Sequence, residues 1–291
     1  MDKVSVIVPT IGRDSLRAAV ESVVAQEDCE PEAVVILDHP EKEDEIHSLL
    51  MGLPYVFATS QRHGAPAARN LGLQLASGDF IGYLDDDDLW MPDKARKQLA
   101  SIKSSPNPLT TFSVVASEFI DSRGRSRKSA PRHFDPLRES FPNFLVSRRR
   151  LRYGSVLFNT PSLLGPQSLM REITWDISLK KHQDWDLLIR LFEVENVEFV
   201  TVNEPLVQVN QGSVGSISKR NNWQESAQWL EKHDERISGR ARNDFILQHI
   251  LLHAIRRKSR EGVIASWEAK SLKPPHLAAL GRLIAGLGLN R

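Results

Sequence analysis

Short runs of β-branched and aliphatic residues alternate with amphipathic segments over the first hundred residues of the chain. Runs that are too short for a helix predict four buried strands, at Val4–Val8, Ala33–Leu37, Tyr55–Ala58 and Phe80–Leu84. The intervening segments predict helices over Ser15–Gln26, from Pro66 to Ser77-Gly78, and from Pro92 to about Ser101. Strands joined by helices imply an α/β fold with a mostly parallel central sheet flanked by helices.

The pattern changes after residue 105. We predict five further strands, at Thr111–Ile120, Ser155–Asn159, Ser168–Met170, Glu198–Val202 and Leu206–Val209. A basic loop is expected over Asp121–His133 and a helix over Asp184–Phe192, and the chain from about Trp223 onward is predicted to be helical. These changes divide the chain into residues 1–105, residues 106–220 and a helical C-terminal extension over residues 221–291.

Polar residues directly follow three of the predicted strands. Pro9-Thr10 ends the first strand, Asp38 ends the second and Asp85–Asp88 follows the fourth. In parallel α/β sheets, ligands bind beyond the carboxyl ends of the strands. We therefore expect these three strands to bring their polar groups to one rim of the sheet.

Four consecutive aspartates, Asp85–Asp88, form an acidic cluster. Such a run is often only a solvated loop, but here apolar residues precede and follow it, so the carboxylates emerge from a buried strand. Like charges this close raise one another's pKa, and a divalent cation removes the repulsion. Hard oxygen ligands suit Mg²⁺ or Mn²⁺, with substrate phosphates completing the coordination. Because alternate residues of an extended chain share a side, Asp85 and Asp87 can bind one metal–diphosphate complex.

Composition narrows the class of protein. Hydrophobic residues make up 41% of the 291 residues, which supports a sizeable core, and a net charge of +1 gives no global field that would recruit a nucleic acid polymer. Cys29 is the only cysteine, which excludes an intrachain disulfide and fits a reducing compartment. The N-terminus has no signal-peptide pattern and no apolar stretch approaches about 20 residues, so a cytoplasmic protein is expected.

Two segments leave peripheral contact with a membrane open. Arg148–Arg152 is compatible with contact to anionic headgroups or to a pyrophosphate-linked lipid acceptor. The apolar stretch His276–Leu289, which contains one Arg, is compatible with a position in a membrane interface. A solvated surface is the simpler interpretation of the arginines. Packing against the rest of the chain, or dimerisation, is the simpler interpretation of the apolar stretch, and the sequence leaves the oligomeric state open.

Several segments occur in an order that resembles one known family. They are the strands Val4–Thr10 and Val35–Asp38, the helix start Gly64–Gly72 with its end Ala76–Asp79, the acidic segment Tyr83–Trp90, and Gln183–Asp186. Together they resemble the family 2 glycosyltransferases of the GT-A fold, with its Rossmann-like sheet, over roughly residues 3–215. In that family the acidic segment is the Asp-x-Asp metal motif, and the last segment contains the catalytic base.

The resemblance implies a metal-dependent, inverting transfer of a sugar from a nucleotide diphosphate donor, with a UDP-sugar favoured, to an acceptor hydroxyl. It also implies a place in polysaccharide or lipid-linked oligosaccharide assembly. The cofactor would be Mn²⁺ or Mg²⁺, held by Asp87 and Asp85. The donor pocket would be lined by Pro9, Thr10, Arg13, Asp38, Arg69, Asp85 and Asp86. Asp184 would be the catalytic base, and Trp185 and Asp186 are candidates for contact with the acceptor.

This chain departs from the family's pattern at three places. Gln183 stands where Glu is usual, which removes a charge beside the predicted base, and His39 stands where a second Asp is common. Around Gln208–Ser213, many members have an Arg or His that contacts the diphosphate, whereas this chain has Asn210 and Gln211.

Other interpretations stay open from the sequence. A nucleotidyltransferase would also use a metal and two carboxylates, although Pro9–Arg13 contains only one glycine where such enzymes have a glycine-rich phosphate loop. Gln183 is compatible with an inactive nucleotide- or carbohydrate-binding module. Asp184 is also a suitable helix N-cap and Trp185 a suitable core residue, while His182 is expected to be a surface histidine.

Overall fold

The computed structural model of the chain describes residues 1–61, 63–129, 133–149, 158–211 and 222–288. These residues form two compact units. The first unit comprises the described residues of Met1–Pro131, Leu157–Ser178 and Asp186–Val214. The second unit comprises those of Arg132–Val156, Leu179–Trp185 and Gly215–Arg291.

The described strands are β1 (Lys3–Thr10), β2 (Glu30–Leu37), β3 (Val56–Thr59), β4 (Phe80–Tyr83), β5 (Leu89–Trp90), β6 (Thr111–Ile120), β7 (Ser126–Ser129), β8 (Leu163–Pro166) and β9 (Glu198–Asn210). The described α-helices are α1 (Leu16–Val24), α2 (Glu43–Leu49), α3 (Gly64–Leu75), α4 (Lys94–Lys103), α5 (Phe141–Val146), α6 (Gln167–Glu172), α7 (Gln183–Leu191), α8 (Trp223–Lys232), α9 (Gly239–Phe245), α10 (Leu252–Arg256), α11 (Arg260–Glu268) and α12 (Leu277–Gly288). A π-helical segment, Ile246–Leu251, joins α9 to α10.

Four parallel strands form one half of the sheet in the first unit, in the order β3-β2-β1-β4. Consecutive residues of β1 and β2 are buried, as expected for parallel strands covered by helices. The four strands predicted before residue 105 are confirmed, as are the three predicted helices, here α1, α3 and α4. Helix α2 was not predicted, because Ile46 is its only buried residue and the sequence therefore shows no apolar face.

Beyond β4 the sheet becomes mixed. Strand β8 lies antiparallel between β4 and β6, β9 runs parallel to β6, and the short β5 lies antiparallel on β9. The two strands predicted at Glu198–Val202 and Leu206–Val209 are one strand, β9, whose pairing with β6 shifts register near Ala116. The predicted α/β class, with a central sheet flanked by helices and a helical C-terminal region, is confirmed.

Three predictions for the middle of the chain need correction. Ser168–Met170 lies in helix α6, which follows Pro166 at the end of β8; a short apolar run does not distinguish strand from helix. The predicted loop Asp121–His133 contains β7, which pairs antiparallel with β6, while residues 130–132 lie outside the described residues. Within the predicted strand Ser155–Asn159, residues 155–157 also lie outside them, and Phe158 and Asn159 are not in a strand.

Helix α3 packs closely on the parallel strands because Gly72 has no side chain. A Cβ atom at this position would overlap the side chain of Ile7 and lie 3.3 Å from Cγ1 of Ile36. The glycine therefore sets the distance between α3 and the strands β1 and β2, and α3 also contains Arg69.

The second unit is helical around an aromatic core. Trp229, Leu230, Phe245 and Ile246 are buried there, and the rings of Trp229 and Phe245 stack with centroids 5.0 Å apart. The helices of the described residues include none that is long and apolar enough to cross a membrane.

Replacing Gly72 with Ala should destabilise the protein, although Ala has the higher helix propensity. The added methyl group must push α3 away from Ile7, and overpacking of this kind costs about 1–3 kcal/mol. Urea unfolding followed by circular dichroism measures the loss. Gln74→Ala, at an exposed position of the same helix, is the matched control and should leave the free energy of unfolding nearly unchanged. Equal stability of Gly72→Ala and the wild type would contradict the close packing.

Candidate functional site

The carboxyl ends of three adjacent strands form one rim of the first unit. In the sheet, β1 lies between β2 and β4, and all three run parallel. Thr10 ends β1, Asp38 follows β2 and Asp85 lies two residues beyond β4. The structure thus brings the predicted polar groups of the three strands to the same edge. Pro9 lies within β1 and is buried.

Asp86 is the buried member of the acidic cluster. Its carboxylate is 2% exposed and accepts a hydrogen bond from Oγ1 of Thr10 at 2.6 Å. The guanidinium of Arg13 donates to the other oxygen, Oδ1. The backbone N–H of Ile11 donates to Oδ2, the oxygen that Thr10 also bonds, with an N···O distance of 3.4 Å. These bonds join the segment after β1 to the segment after β4.

Burial raises the pKa of Asp86, and the bond from Thr10 and the charge of Arg13 act in the opposite direction. The same Arg13 guanidinium lies 3.9 Å from a carboxylate oxygen of Asp87. Arg13 is therefore shared by two aspartates, and its position depends on the buried one.

Arg69 of α3 reaches the first aspartate of the cluster. The side chain is almost fully buried, and Nη2 donates to Oδ1 of Asp85 at 2.6 Å. Its guanidinium carbon lies 4.6 Å from the ring centroid of Trp175, within the range of a cation–π contact. Arg69 is therefore not a solvent-exposed residue of α3.

Asn70, the residue after Arg69, connects helix α3 to the backbone of Trp175. Its side chain donates to the backbone carbonyl of Trp175 at 2.8 Å and accepts from the backbone N–H of Trp175 at 2.7 Å. Asn70 thus fixes Trp175, and Trp175 lies against Arg69. The sequence analysis did not identify Trp175. Its aromatic side chain is the only local signal that could have indicated a role.

Asp38 is bonded to the start of α3. Its carboxylate accepts from Oγ of Ser60 at 2.5 Å and from the backbone N–H of Gly64 at 3.0 and 3.1 Å. Gly64 has φ of +83°, a conformation that favours glycine. Asp38 therefore links the end of β2 to the helix that contains Arg69.

Asn210, at the end of β9, holds the last part of the acidic cluster. Its backbone N–H donates to Oδ1 of Asp88 at 2.9 Å, and its side chain donates to the backbone carbonyl of Asp87. Asn210 lies in the segment where the family resemblance predicts an Arg or His for the diphosphate, and its amide is bonded to the acidic cluster instead. Burial, and next the charge of Asp85, raise the pKa of Asp88 to about 9.

Asp85 and Asp87 are the members of the cluster that keep access to solvent, with side chains 37% and 18% exposed. Within the described residues, no group of three or more His, Cys, Asp or Glu side chains is arranged to hold a metal ion. Two carboxylates nevertheless fit Mg²⁺ or Mn²⁺, which are often held by one or two carboxylates together with substrate phosphates. Burial is the main cause of the raised pKa of Asp88, and the charge of Asp85 is the next; a bound cation would offset the second of these.

The remaining predicted residues lie at the start of α7. Asp184 is the second residue of this helix rather than its N-cap, it is half-buried, and its Oδ1 accepts from the backbone N–H of Trp185 at 3.0 Å. The side chain of Gln183 donates to the carbonyl of Leu179 at 2.8 Å, a bond that a glutamate could not make. Asp186, in the first unit, is fully buried and accepts two hydrogen bonds from Arg190 at 2.6 and 2.8 Å.

Trp185 and His182 belong to the aromatic core of the second unit. Their rings stack with centroids 5.1 Å apart, and Trp229, Phe245 and His249 surround both. Nε2 of His182 lies 3.0 Å from Oγ of Ser226. The expectation of a surface histidine is therefore wrong, and burial lowers the pKa of His182 well below its usual value. No local sequence signal indicates this, because the surrounding rings come from helices more than 40 residues away.

Comparison with known proteins adds independent information. The model of the family described as Glycosyl transferase family 2 matches residues 5–172, more than half of the chain. An uncharacterized glycosyltransferase of Haemophilus influenzae is 24% identical over 256 residues, which cover 86% of this chain and 83% of that protein. The amylovoran biosynthesis glycosyltransferase AmsB of Erwinia amylovora is 29% identical over 178 residues, which cover 60% of this chain and 56% of AmsB.

The fold is also found among solved structures. The crystal structure of S. aureus TarS 1–349 in complex with UDP-GlcNAc matches with a TM-score of 0.60 and 17% sequence identity, covering 92% of this chain and 91% of that chain. With the family match over residues 5–172, these similarities agree with the resemblance noted in the sequence. The chain belongs to glycosyl transferase family 2, and it is a glycosyltransferase with the GT-A fold.

Proposed function

We propose that this enzyme transfers a sugar from a UDP-sugar to an acceptor hydroxyl, with inversion at the anomeric carbon and with Mn²⁺ or Mg²⁺ as cofactor. The observation on which this depends is the convergence of Thr10, Asp38 and Asp85 at one rim, with Arg13 and Arg69 bonded to the same acidic cluster. Carboxylates for a cation and arginines for phosphates are the groups that a nucleotide diphosphate requires.

The donor lies along this rim. Asp38 accepts a hydrogen bond from the uracil N–H, while Pro9 and Thr10 line the nucleotide pocket. Arg69, held by Trp175 and Asp85, meets the base or the diphosphate. Asp86 acts through Thr10 and Arg13, which its buried carboxylate holds in place. Residues 1–105 thus contain the donor site, and residues 106–220 contribute the acceptor side and the base.

Asp87 and Asp85 would hold the metal ion, which when bound supplies Lewis-acid stabilisation of the leaving diphosphate. The protein's own residues set up the rest of the reaction. Asp184 takes the proton of the acceptor hydroxyl as that oxygen attacks the anomeric carbon. The nucleoside diphosphate leaves from the opposite face, and no covalent intermediate with the enzyme is formed. Trp185 remains the proposed contact on the acceptor side, whereas the carboxylate of Asp186 is fully buried and bonded to Arg190, so the prediction of an acceptor contact is not kept for it.

The names of two similar proteins bear on the donor and on the pathway. TarS was crystallised with UDP-GlcNAc and with UDP, and AmsB is named for amylovoran biosynthesis. We extend these two facts to a UDP-sugar donor and to polysaccharide or lipid-linked oligosaccharide assembly. We propose that the reaction takes place in the cytoplasm and that the enzyme makes peripheral contact with the inner face of the membrane.

A thermal-shift screen of nucleotide sugars and nucleoside diphosphates, with and without Mn²⁺, tests the donor class directly. UDP and a UDP-sugar should stabilise the protein, and Mn²⁺ should increase the shift. Product analysis then separates the alternatives. Release of UDP supports sugar transfer, release of pyrophosphate indicates a nucleotidyltransferase, and binding without turnover indicates an inactive binding module.

Replacing Asp87 with Ala should abolish the part of UDP affinity that depends on Mn²⁺. The variant removes a metal ligand but keeps the backbone carbonyl to which Asn210 donates, so the fold should be retained. Isothermal titration calorimetry with and without Mn²⁺ measures the difference. Asp44→Asn, an exposed carboxylate of α2, is the control and should behave as the wild type. A Mn²⁺-dependent affinity that survives in Asp87→Ala would remove Asp87 from the metal site.

Replacing Asp184 with Asn should lower turnover by roughly 10²–10⁴-fold while UDP binding and thermal stability stay near normal. The amide can still accept the hydrogen bond from the N–H of Trp185, but it cannot take a proton. Steady-state kinetics of UDP release measures the effect. Asp186→Asn provides the contrast, because loss of the buried ion pair with Arg190 should cost about 3 kcal/mol of stability. Full turnover in Asp184→Asn would exclude Asp184 as the base.

A further inference from the structure

Helix α12 exposes its large apolar residues. Leu277, Leu280, Ile284 and Leu287 follow one another at helical spacing on one face, and Leu277 and Ile284 are 84% and 70% exposed. The residues buried on the other side are small, namely Ala278, Ala279 and Gly286. The usual arrangement of a surface helix is therefore reversed, with the bulky apolar side chains facing the solvent.

Helix α11 shows the same reversal. Its buried residues are Gly262 and Ser266, whereas Val263, Ile264 and Trp267 are exposed, and Trp267 is 70% exposed. Small residues are required on the inner side, because a Cβ at Gly262 would lie 2.8 Å from the Trp223 ring. A Cβ at Gly286 would likewise lie 2.9 Å from Leu252. Both helices pack through small residues and leave most of their large ones exposed, although Leu283 of α12 is half-buried.

Basic residues accompany these exposed apolar residues. Residues 252–288 contain seven Lys or Arg and only two Asp or Glu, although the whole chain has a net charge of only +1. All seven basic residues are exposed: Arg256, Arg257, Lys258, Arg260, Lys270, Lys273 and Arg282. Nζ of Lys270 lies 2.8 Å from the ring centroid of Trp267, so charge and aromatic surface meet directly.

The positive charge near α11 and α12 and the length of α12 indicate which partner binds their exposed apolar residues. A 12-residue helix is about 18 Å long, shorter than the roughly 30 Å of a bilayer's hydrocarbon core, so α12 fits the plane of an interface and not a crossing. A second copy of the chain would bring two positively charged surfaces together, which is unfavourable. An anionic lipid surface accepts both the apolar side chains and the basic ones, whose long stems lie along apolar surface.

We propose that the outer faces of α11 and α12, with the surrounding basic residues, bind the surface of membranes that contain anionic phospholipids. We call this set the lipid-binding face. Trp267 and the leucines and isoleucines insert at the level of the headgroups, and the basic residues contact lipid phosphates. Membrane binding is argued from α11, α12 and the basic residues alone. Only its biological role, to bring the enzyme to acceptors presented on lipid, rests on the proposed function. Notably, the predicted apolar stretch His276–Leu289 is the part that forms α12, with residue 289 outside the described residues.

Vesicle sedimentation of the full chain tests the proposal without any sugar donor. Wild type should sediment with phosphatidylcholine vesicles that contain phosphatidylserine, much less with phosphatidylcholine alone, and less at high salt. Trp267→Ser/Ile284→Ser should bind at least about tenfold more weakly, because two large apolar side chains are lost. Arg257→Gln should weaken binding about fivefold. Met51→Ser/Ile177→Ser, two exposed apolar residues of the first unit, is the matched control and should bind as the wild type.

Two results would overturn the lipid-binding face. One is wild-type binding that is absent or equal on neutral and anionic vesicles. The other is a concentration-dependent dimer in analytical ultracentrifugation that Trp267→Ser/Ile284→Ser abolishes, without binding to vesicles, which would assign the face to a second copy. Mn²⁺-dependent UDP binding of every variant should equal that of the wild type. Vesicle binding by a wild type that binds no UDP would therefore support the face while contradicting the proposed function.

Discussion

The carboxylate of Asp86 is buried beneath the rim of the sheet, where Thr10 and Arg13 donate hydrogen bonds to it. A buried carboxylate is costly unless it is paired and hydrogen-bonded, so these contacts are obligatory once Asp86 is buried. They connect two loops that are more than 70 residues apart in sequence. The neighbours Asp85 and Asp87 keep access to solvent because Asp86 anchors the loop between them.

The rest of the rim is built by similar links between strand ends and α3. Asp38 bonds the start of the helix, Arg69 bonds Asp85, and Asn70 fixes Trp175 against the arginine. The site lies where the sheet changes character, since β4 pairs parallel with β1 on one side and antiparallel with β8 on the other. Strand β9 then brings Asn210 to the acidic cluster. Asn210 thus stabilises the cluster in a segment where the family resemblance predicts an Arg or His, and Arg13 and Arg69 are bonded to the cluster within the described residues.

The second unit combines two surfaces of different chemistry. Its core is aromatic and includes His182, whose pKa is lowered by burial, and Trp185, next to the proposed base, packs within it. In its outer helices α11 and α12 the usual amphipathic arrangement is reversed: small residues pack inward and most large apolar residues are exposed.

The sequence by itself determined strands β1 to β4 and helices α1, α3 and α4, the acidic cluster and the family, but not helix α2 or the short strand β5. These features depend on local periodicity and on residues that are adjacent in the chain, so they are visible without the fold. Tertiary structure alone decided that Asp86 is buried while Asp85 and Asp87 are accessible, that Trp175 supports Arg69, and that His182 is enclosed by rings. It also made Ser168–Met170 a helix, although a three-residue apolar run fits either structure. The reason is that the partners that bury and hydrogen-bond these residues lie tens of residues away in the sequence. Asn70 and Trp175, for example, are 105 positions apart. No local pattern specifies which distant segments will pack together.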